Sequence, residues 1–186
     1  MSPRAGLSTA AVVDTALGIV DAQGHEALTL AAVAARSGVA TPSLYKHVAS
    51  LAELRALAGA RVTAEMAEHL TEAILGLSGD EAVSALMRAA RSFVVEHPRR
   101  YALMPLDTLH DPFTAKAGTK LMNVFLAVLR GYGLKGSAAI HAIRCMRVIA
   151  HGFASLEAGG GFGLPEGLDQ TYQQLIDMFI ASLHKE

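Results

Sequence analysis

Residues 29–48, TLAAVAARSGVATPSLYKHV, constrain the fold of this chain more than any other stretch. Leu30, Val33, Ala34 and Ser37 recur at spacings of three and four, so they share one helical face. Gly38 breaks the pattern and suits the left-handed turn that ends a helix. Thr41 and Pro42 then open a second short helix over 41–48. Thr41 is read as its N-cap, and Pro42 fits the first helical position, where its missing N–H needs no partner. Leu44 and Val48 lie four apart and face inward together. Ser43 and Lys46 project to the opposite side, with Tyr45 and His47 on the flanks. A helix, a glycine turn and a short second helix with small, polar, basic and aromatic residues outward form a helix-turn-helix. In such a unit the second helix enters the DNA major groove.

Two short helices around a glycine turn also occur in helical proteins that bind no DNA, so spacing alone leaves that function open. The detailed string GVATPSLYKHV, followed by SLAEL, closely resembles the DNA-binding domain of the tetracycline-repressor (TetR) family of bacterial regulators, over roughly residues 8–60. The resemblance implies an all-α homodimer. An N-terminal three-helix helix-turn-helix domain, residues 1–50, precedes a helical ligand-binding and dimerisation domain, residues 51–186. It also implies DNA contacts from Thr29, Thr41, Pro42, Ser43, Tyr45, Lys46 and His47. The helix behind Thr29 would place its N-terminal N–H groups near a phosphate. Lys46 could donate to guanine or to a phosphate, and sequence does not separate the two.

Composition narrows the alternatives. Hydrophobic residues make up 52% of the 186, which excludes a disordered chain. Ala and Leu are abundant, which favours helices, and no strand signal stands out. No apolar run approaches the ~20 residues of a membrane span. The start, MSPRAGLSTAAVVD, lacks the apolar region of a signal peptide. Cys145 is the sole cysteine, so no internal disulfide or cysteine-based zinc site is expected. A cytoplasmic protein is the simplest reading. The net charge of −1 is low for a DNA binder. Within residues 1–60, Arg4, Arg36, Lys46 and Arg55 are balanced by Asp14, Asp21, Glu26 and Glu53. Weak non-specific binding and reliance on dimerisation follow.

The chain in order reads as a series of helices. Residues 2–7 form a loose arm in which Arg4 could reach a phosphate. Ser8 or Thr9 caps a helix to about Gln23, with Val12, Val13, Ala16, Leu17 and Val20 inward, and Gly24 ends it. Thr29 caps the next helix. Ser50-Leu51-Ala52-Glu53 is a capping box that opens a long helix to about Leu75. A break at 76–80 precedes a helix over 81–96, which ends at His97-Pro98. Residues 99–109 carry a short helix interrupted around Pro105. Asp111-Pro112 starts a helix to about Arg130, and 131–133 is a turn. A helix over 137–157, a glycine-rich loop over 159–165 and a last helix over 168–183 complete the chain.

His151-Gly152-Phe153, Leu156-Glu157 and Gly161-Phe162-Gly163 resemble an effector domain of such regulators that a Trp, His and Gly signature marks. Arg147 stands where the tryptophan is expected. Met87, Phe93, Tyr101, Met104, Met122 and Phe125, with the basic His141, Arg144 and Arg147, are the candidate effector pocket. Methionines at such positions are more often ordinary core, and the three basic groups could face ligand, dimer partner or solvent. The resemblance places a four-helix dimer interface on the last two helices, with Ile140, Ile143, Phe153, Tyr172, Leu175 and Phe179. No HExxH occurs and no His pair stands at i,i+4, so neither metal nor cofactor is expected. The loop at 159–163 lacks GxxxxGK[ST], and no catalytic constellation stands out. The reading is a sequence-specific regulator, expected to be a repressor released from a palindromic DNA operator by a small hydrophobic or amphipathic ligand. The alternative is a small helical enzyme or ligand carrier whose helix-turn-helix is only structural.

Overall fold

The computed structural model describes residues 7–184, and among them the protein is all-α. Arg4 and the rest of the N-terminal arm before Leu7 lie outside the described residues. Helix α1 spans Thr9–Gln23, with the Ser8 hydroxyl accepting from the Ala11 N–H at its start. It ends at Gly24, whose φ of 88° favours glycine. A 3-10 turn over His25–Ala27 leads to α2, Leu30–Ser37, and α3, Thr41–Leu44. Then come α4, Leu51–Ala73; α5, Gly79–Glu96; α6, Pro98–Tyr101; α7, Ala115–Leu129; α8, Gly136–Ala158; and α9, Leu168–Leu183.

These elements form two compact units. The first comprises Met1–Thr63 and Arg99–Ala117, the second Ala64–Pro98 and Gly118–Glu186, so the chain crosses between them three times. In the first unit α1 packs on α2, and α2 on α3. Val12, Ala16 and Val20 of α1 are fully buried, as are Leu28, Val33, Leu44, Leu54, Ala58 and Val62. Each fully buried branched side chain stabilises the fold by ~1.5–3 kcal/mol, which explains how so small a unit holds its shape. In the second unit α5 packs against α8 and α9. Val83, Leu86, Met87, Ala90 and Phe93 form the inward stripe of α5, at the spacing its sequence predicts. Ile143, Met146, Ala150 and Phe153 of α8, and Tyr172, Ile176 and Phe179 of α9, are also buried.

Several boundaries differ from the sequence reading, each for a local reason. The helix expected from Asp111 starts at Ala115, because the Asp111 carboxylate accepts from the Phe113 and Thr114 N–H groups and holds 111–114 as a turn. The short helix expected within 99–109 is one turn, α6. Met104 N–H donates to Tyr101 O, and Pro105 then offers no N–H to continue. The capping box closes on a different amide: Glu53 N–H donates to Ser50 Oγ at 3.1 Å, whereas the Glu53 carboxylate accepts from Ala49 rather than Ser50. Gly59 belongs to no motif in the sequence, yet it lies at a close approach. A Cβ there would sit 2.6 Å from the Leu103 carbonyl oxygen, so glycine is what lets residues 99–117 lie on α4 within the first unit. Among the described residues, no helix is long and apolar enough to cross a membrane.

Candidate nucleic-acid interface and effector unit

The turn between α2 and α3 is built by hydrogen bonds that leave one of its surfaces exposed. Thr29 caps α2 as expected, its hydroxyl accepting from Ala32 N–H at 3.1 Å. Gly38 ends α2 in the left-handed region at φ 67°, and Val39 N–H donates to Ala34 O at 3.1 Å. The next cap is a correction. Ala40, not Thr41, is the N-cap of α3, with no side-chain hydrogen bond, and Thr41 is already helical. Pro42 sits in the first turn as expected. The α-helix closes at Leu44 instead of running to Val48, and Tyr45, Lys46 and His47 form a turn. The coil nevertheless continues far enough to serve the core: Val48 N–H donates to Leu44 O at 3.0 Å, and both side chains are buried.

The turn is fastened from α1. Thr9 Oγ1 donates to the His47 carbonyl oxygen at 3.1 Å. Pro42, Tyr45 and Lys46 are exposed, and Thr41, Ser43 and His47 are half-buried. The structure therefore gathers the six residues of 41–47 other than Leu44 on one short turn, anchored from behind by Leu44. Thr29 is exposed at the start of α2. The acidic residues of α1 are occupied elsewhere. Asp14 pairs with Arg61 at 3.0 Å, and Asp21 pairs with Arg100 at 2.7 Å. Arg61, Arg99 and Arg100 are missing from a count over residues 1–60. With them, basic side chains outnumber acidic ones in the sequence of the first unit.

In the second unit the expected effector residues occupy different environments. Met87, Phe93 and Phe125 are core side chains, and Met122 is half-buried. His141, Arg144 and Arg147 are exposed on α8. Tyr101 and Met104 belong to the first unit, where both are half-buried. His69 of α4, which no motif marked, joins Phe93: its Nε2 lies 3.2 Å from Ser92 Oγ, and the rings are 5.7 Å apart.

An open cleft of about 510 Å³ lies elsewhere in this unit, lined by Arg88, Arg91, Glu157, Asp169, Tyr172 and Gln173 among others. Its floor is a charged knot that no sequence motif marks. Arg91 forks onto both Glu157 oxygens at 2.6 and 2.7 Å and reaches Asp169 at 2.7 Å. The guanidinium also lies 5.2 Å from the Phe153 ring centroid and 5.1 Å from that of Tyr172. The Glu157 hydrogen bonds hold Arg91 charged, against a smaller opposing effect of burial. Tyr172 donates to the Met87 carbonyl at 2.7 Å, and burial pushes its ionisation well above the ordinary tyrosine range. Among the described residues, no group of three or more His, Cys, Asp or Glu side chains could hold a metal ion.

The candidate dimer residues are mostly core. Ile143, Phe153, Tyr172 and Phe179 are each 6% exposed or less, so they have almost no surface to offer a partner. Leu175 is half-buried and Ile140 is exposed. Besides Ile140, the large apolar side chains that α8 and α9 expose are Val148, at 70%, and Met178, at 69%, together with Leu156.

Comparison with known proteins agrees with this architecture. Residues 83–179 match the family described as "Tetracyclin repressor-like, C-terminal domain". The chain is 31% identical over 185 residues to the uncharacterized HTH-type transcriptional regulator YobS of Bacillus subtilis (strain 168), covering 98% of this chain and 96% of that one. It is 36% identical over 159 residues to the uncharacterized HTH-type transcriptional regulator Rv0681 of Mycobacterium tuberculosis, covering 84% of this chain and 72% of that one. Two solved structures share the fold. The Streptomyces coelicolor TetR family protein ActR in complex with (S)-DNPA is 23% identical, covers 96% of this chain and 98% of that one, and has a TM-score of 0.71. BioQ with its double-stranded DNA operator is 20% identical, covers 95% and 99%, and has a TM-score of 0.69. The match spans both the helix-turn-helix and the helical C-terminal part, and the chain belongs to the TetR family of HTH-type transcriptional regulators, not to an enzyme family.

Proposed function

We propose that the protein is a one-component repressor that binds a near-palindromic operator as a homodimer and leaves it when a small hydrophobic or amphipathic molecule binds. The observation that carries the DNA reading is the turn at 41–47. Its Leu44 and the following Val48 are sunk in the core, so Pro42, Tyr45 and Lys46 are held outward on a rigid base. That is the arrangement a major-groove reader needs, with small and polar groups around one cation. The functional division at residue 50 is part of this reading: 1–50 reads DNA, and 51–186 senses and dimerises. A two-fold dimer reads half-sites about one helical turn, ~34 Å, apart or a multiple of it. BioQ, which shares the fold, was solved with its DNA operator, and ActR with a small molecule.

The partner surface of this proposal is the exposed face of α8 and α9, with Ile140, Val148, Leu156 and Met178. Isolated exposed apolar residues need no explanation, but four on two adjacent helices match what a self-complementary interface buries. The packing of α8 on α9 supports a reading in which the two helices pair with their copies in a four-helix interface. An effector that binds one conformation better than another would shift the population away from the DNA-binding one. A cytoplasmic location is part of this reading, since the protein must reach DNA.

Selection of bound fragments from a random DNA pool, followed by gel retardation, tests the reading. A recurrent palindromic sequence, retarded by the protein and not competed by scrambled DNA, is the expected result. A helical enzyme or carrier with a purely structural helix-turn-helix would enrich no sequence.

A further inference from the structure

The open cleft beside α5 presents two cations that differ in how they are held. Arg88, Arg91 and Val95 recur at spacings of three and four on α5, and all three line the cleft. Arg91 is fixed before any ligand arrives. Its fork on Glu157 is largely buried, and its guanidinium lies against the Phe153 and Tyr172 rings. The third hydrogen bond is of another kind. Arg91 Nη1 donates to Asp169 Oδ1 at 2.7 Å, yet the Asp169 side chain is 94% exposed. An ion pair with so exposed a partner is weak. Arg91 therefore offers the cleft a donor of set position, and the carboxylate now on it is easily displaced. Once released, Asp169 is still in the first turn of α9, where the helix dipole favours a carboxylate.

Arg88, one turn earlier, is exposed and donates to the neutral Gln173 Oε1. Among the described residues no carboxylate pairs with it. Like charges three residues apart on a helix repel, and an anion shared between them relieves this. Asp169 shows which acceptor suits Arg91 Nη1, a carboxylate oxygen. The charge of the ligand follows from the remaining lining. Glu96, Glu157 and Asp169 all face this cleft, so a dianion would meet three carboxylates. A single negative charge is met by Arg88 and by the donor that Asp169 gives up. Val95, an exposed apolar side chain, lies four residues beyond Arg91.

We infer that this cleft binds a small amphipathic monocarboxylate. The carboxylate takes the place of Asp169 on Arg91 and accepts from Arg88, and the apolar part lies along Val95. The site gives the small effector proposed above an acidic head, and it rests on the reading of residues 51–186 as the sensing part. All its residues belong to the second unit.

The experiment titrates the full chain with hexanoate, hexanamide, hexylammonium and inorganic phosphate. Affinity is read by calorimetry, and the site by NMR shifts of the Arg91 Nε–H and of the amides of 88–96 and 169–173. Hexanoate should shift these signals and bind about ten-fold more tightly than its neutral amide, the low end for a hydrogen bond to a charged group. Arg88→Gln should remove that advantage. Asp169→Asn should tighten hexanoate by about three-fold, the scale of an exposed ion pair, and leave hexanamide unchanged. Both positions are exposed, so neither variant should disturb folding. A purely structural Asp169 predicts the opposite, a lower melting temperature and no gain in hexanoate affinity, and that result overturns the proposal. So does hexanoate that fails to bind, that binds no better than its amide, or that shifts only signals around Met122 and Phe125. Tighter hexylammonium would show that the three carboxylates dominate the cleft, and tighter phosphate that the ligand class is wrong; either overturns it. Selection of operator DNA by a protein that ignores hexanoate refutes this site alone. Hexanoate binding by a protein that selects no DNA refutes the regulator reading and leaves the site.

Discussion

Lys46 and Tyr45 are the residues on which DNA recognition is most directly testable. Both are exposed and neither contributes to the core that Leu44 and Val48 anchor. Lys46→Ala and Tyr45→Ala should therefore weaken operator binding and leave the melting temperature unchanged. A lost base contact reduces discrimination by ~1–3 kcal/mol, whereas a lost phosphate contact lowers affinity on all sequences and reduces the salt slope by about one. Titration at several salt concentrations distinguishes them, and unchanged affinity in both variants would refute the docking. Gly59 makes a prediction of the opposite kind, on stability. Alanine there would gain the ~1 kcal/mol of better helix propensity but meet a backbone oxygen, and overpacking of this sort costs ~1–3 kcal/mol. Gly59→Ala should lower the melting temperature by a few degrees and loosen residues 99–117 against protease. A melting temperature above that of the parent would show that the close approach is not constraining.

At the scale of elements, α9 shows how one helix can serve two faces. Its stripe of Tyr172, Ile176 and Phe179 looks in sequence like a surface awaiting a partner, yet α5 and α8 bury it within the same chain. Met178, one residue from Phe179, is on the other side and exposed. Phe179→Asp should consequently unfold the second unit. Met178→Asp, or Val148→Asp on α8, should give a folded monomer of weak operator affinity. Light scattering with circular dichroism reads both, and a normal dimer in each surface variant would refute the proposed face. The Arg91 knot joins α5, the end of α8 and the start of α9. Arg91 and Glu157 are only 15% and 16% exposed at the side chain, so removing Arg91 takes both of its hydrogen bonds from a largely buried carboxylate. Arg91→Ala should destabilise by ~3 kcal/mol, read as a shifted denaturation midpoint, and Arg91→Met paired with Glu157→Gln should recover part of that.

At the scale of the whole molecule, the low net charge of −1 ceases to conflict with DNA binding once the charges are placed. Asp14 and Asp21 are taken up by Arg61 and Arg100, while Lys46 stays on the exposed turn. Leu51 tests whether more positive charge in this unit would help. It is half-buried at the first residue of α4, whose start the Ser50–Glu53 hydrogen bond fixes. Leu51→Lys should raise affinity on all DNA and steepen the salt slope by about one if the side chain turns toward the backbone phosphates. A stable variant with the parent's affinity and slope would show that position 51 faces away from DNA.

What the sequence determined by itself were features written within a few residues of each other. The α1 and α5 stripes, the Thr29 cap, the Gly38 turn and the inward Leu44 and Val48 follow from helical periodicity and from the backbone freedom of glycine, and these need only neighbours to be known. Local chemistry misled where two local solutions compete. Thr41 is a good N-cap type, but Ala40 holds the extended conformation that capping requires, and Asp111 satisfied a turn before it could start a helix. Tertiary structure alone decided the rest. The Arg91–Glu157 pair spans 66 residues and the Arg99–Asp21 contact spans 78, and no pattern in one sequence announces which of sixteen basic residues meets which of seventeen acidic ones. Burial is decided the same way. An apolar stripe states only that a face must leave water; whether it meets its own chain or a second copy depends on which surface the folded backbone brings within ~4 Å of it.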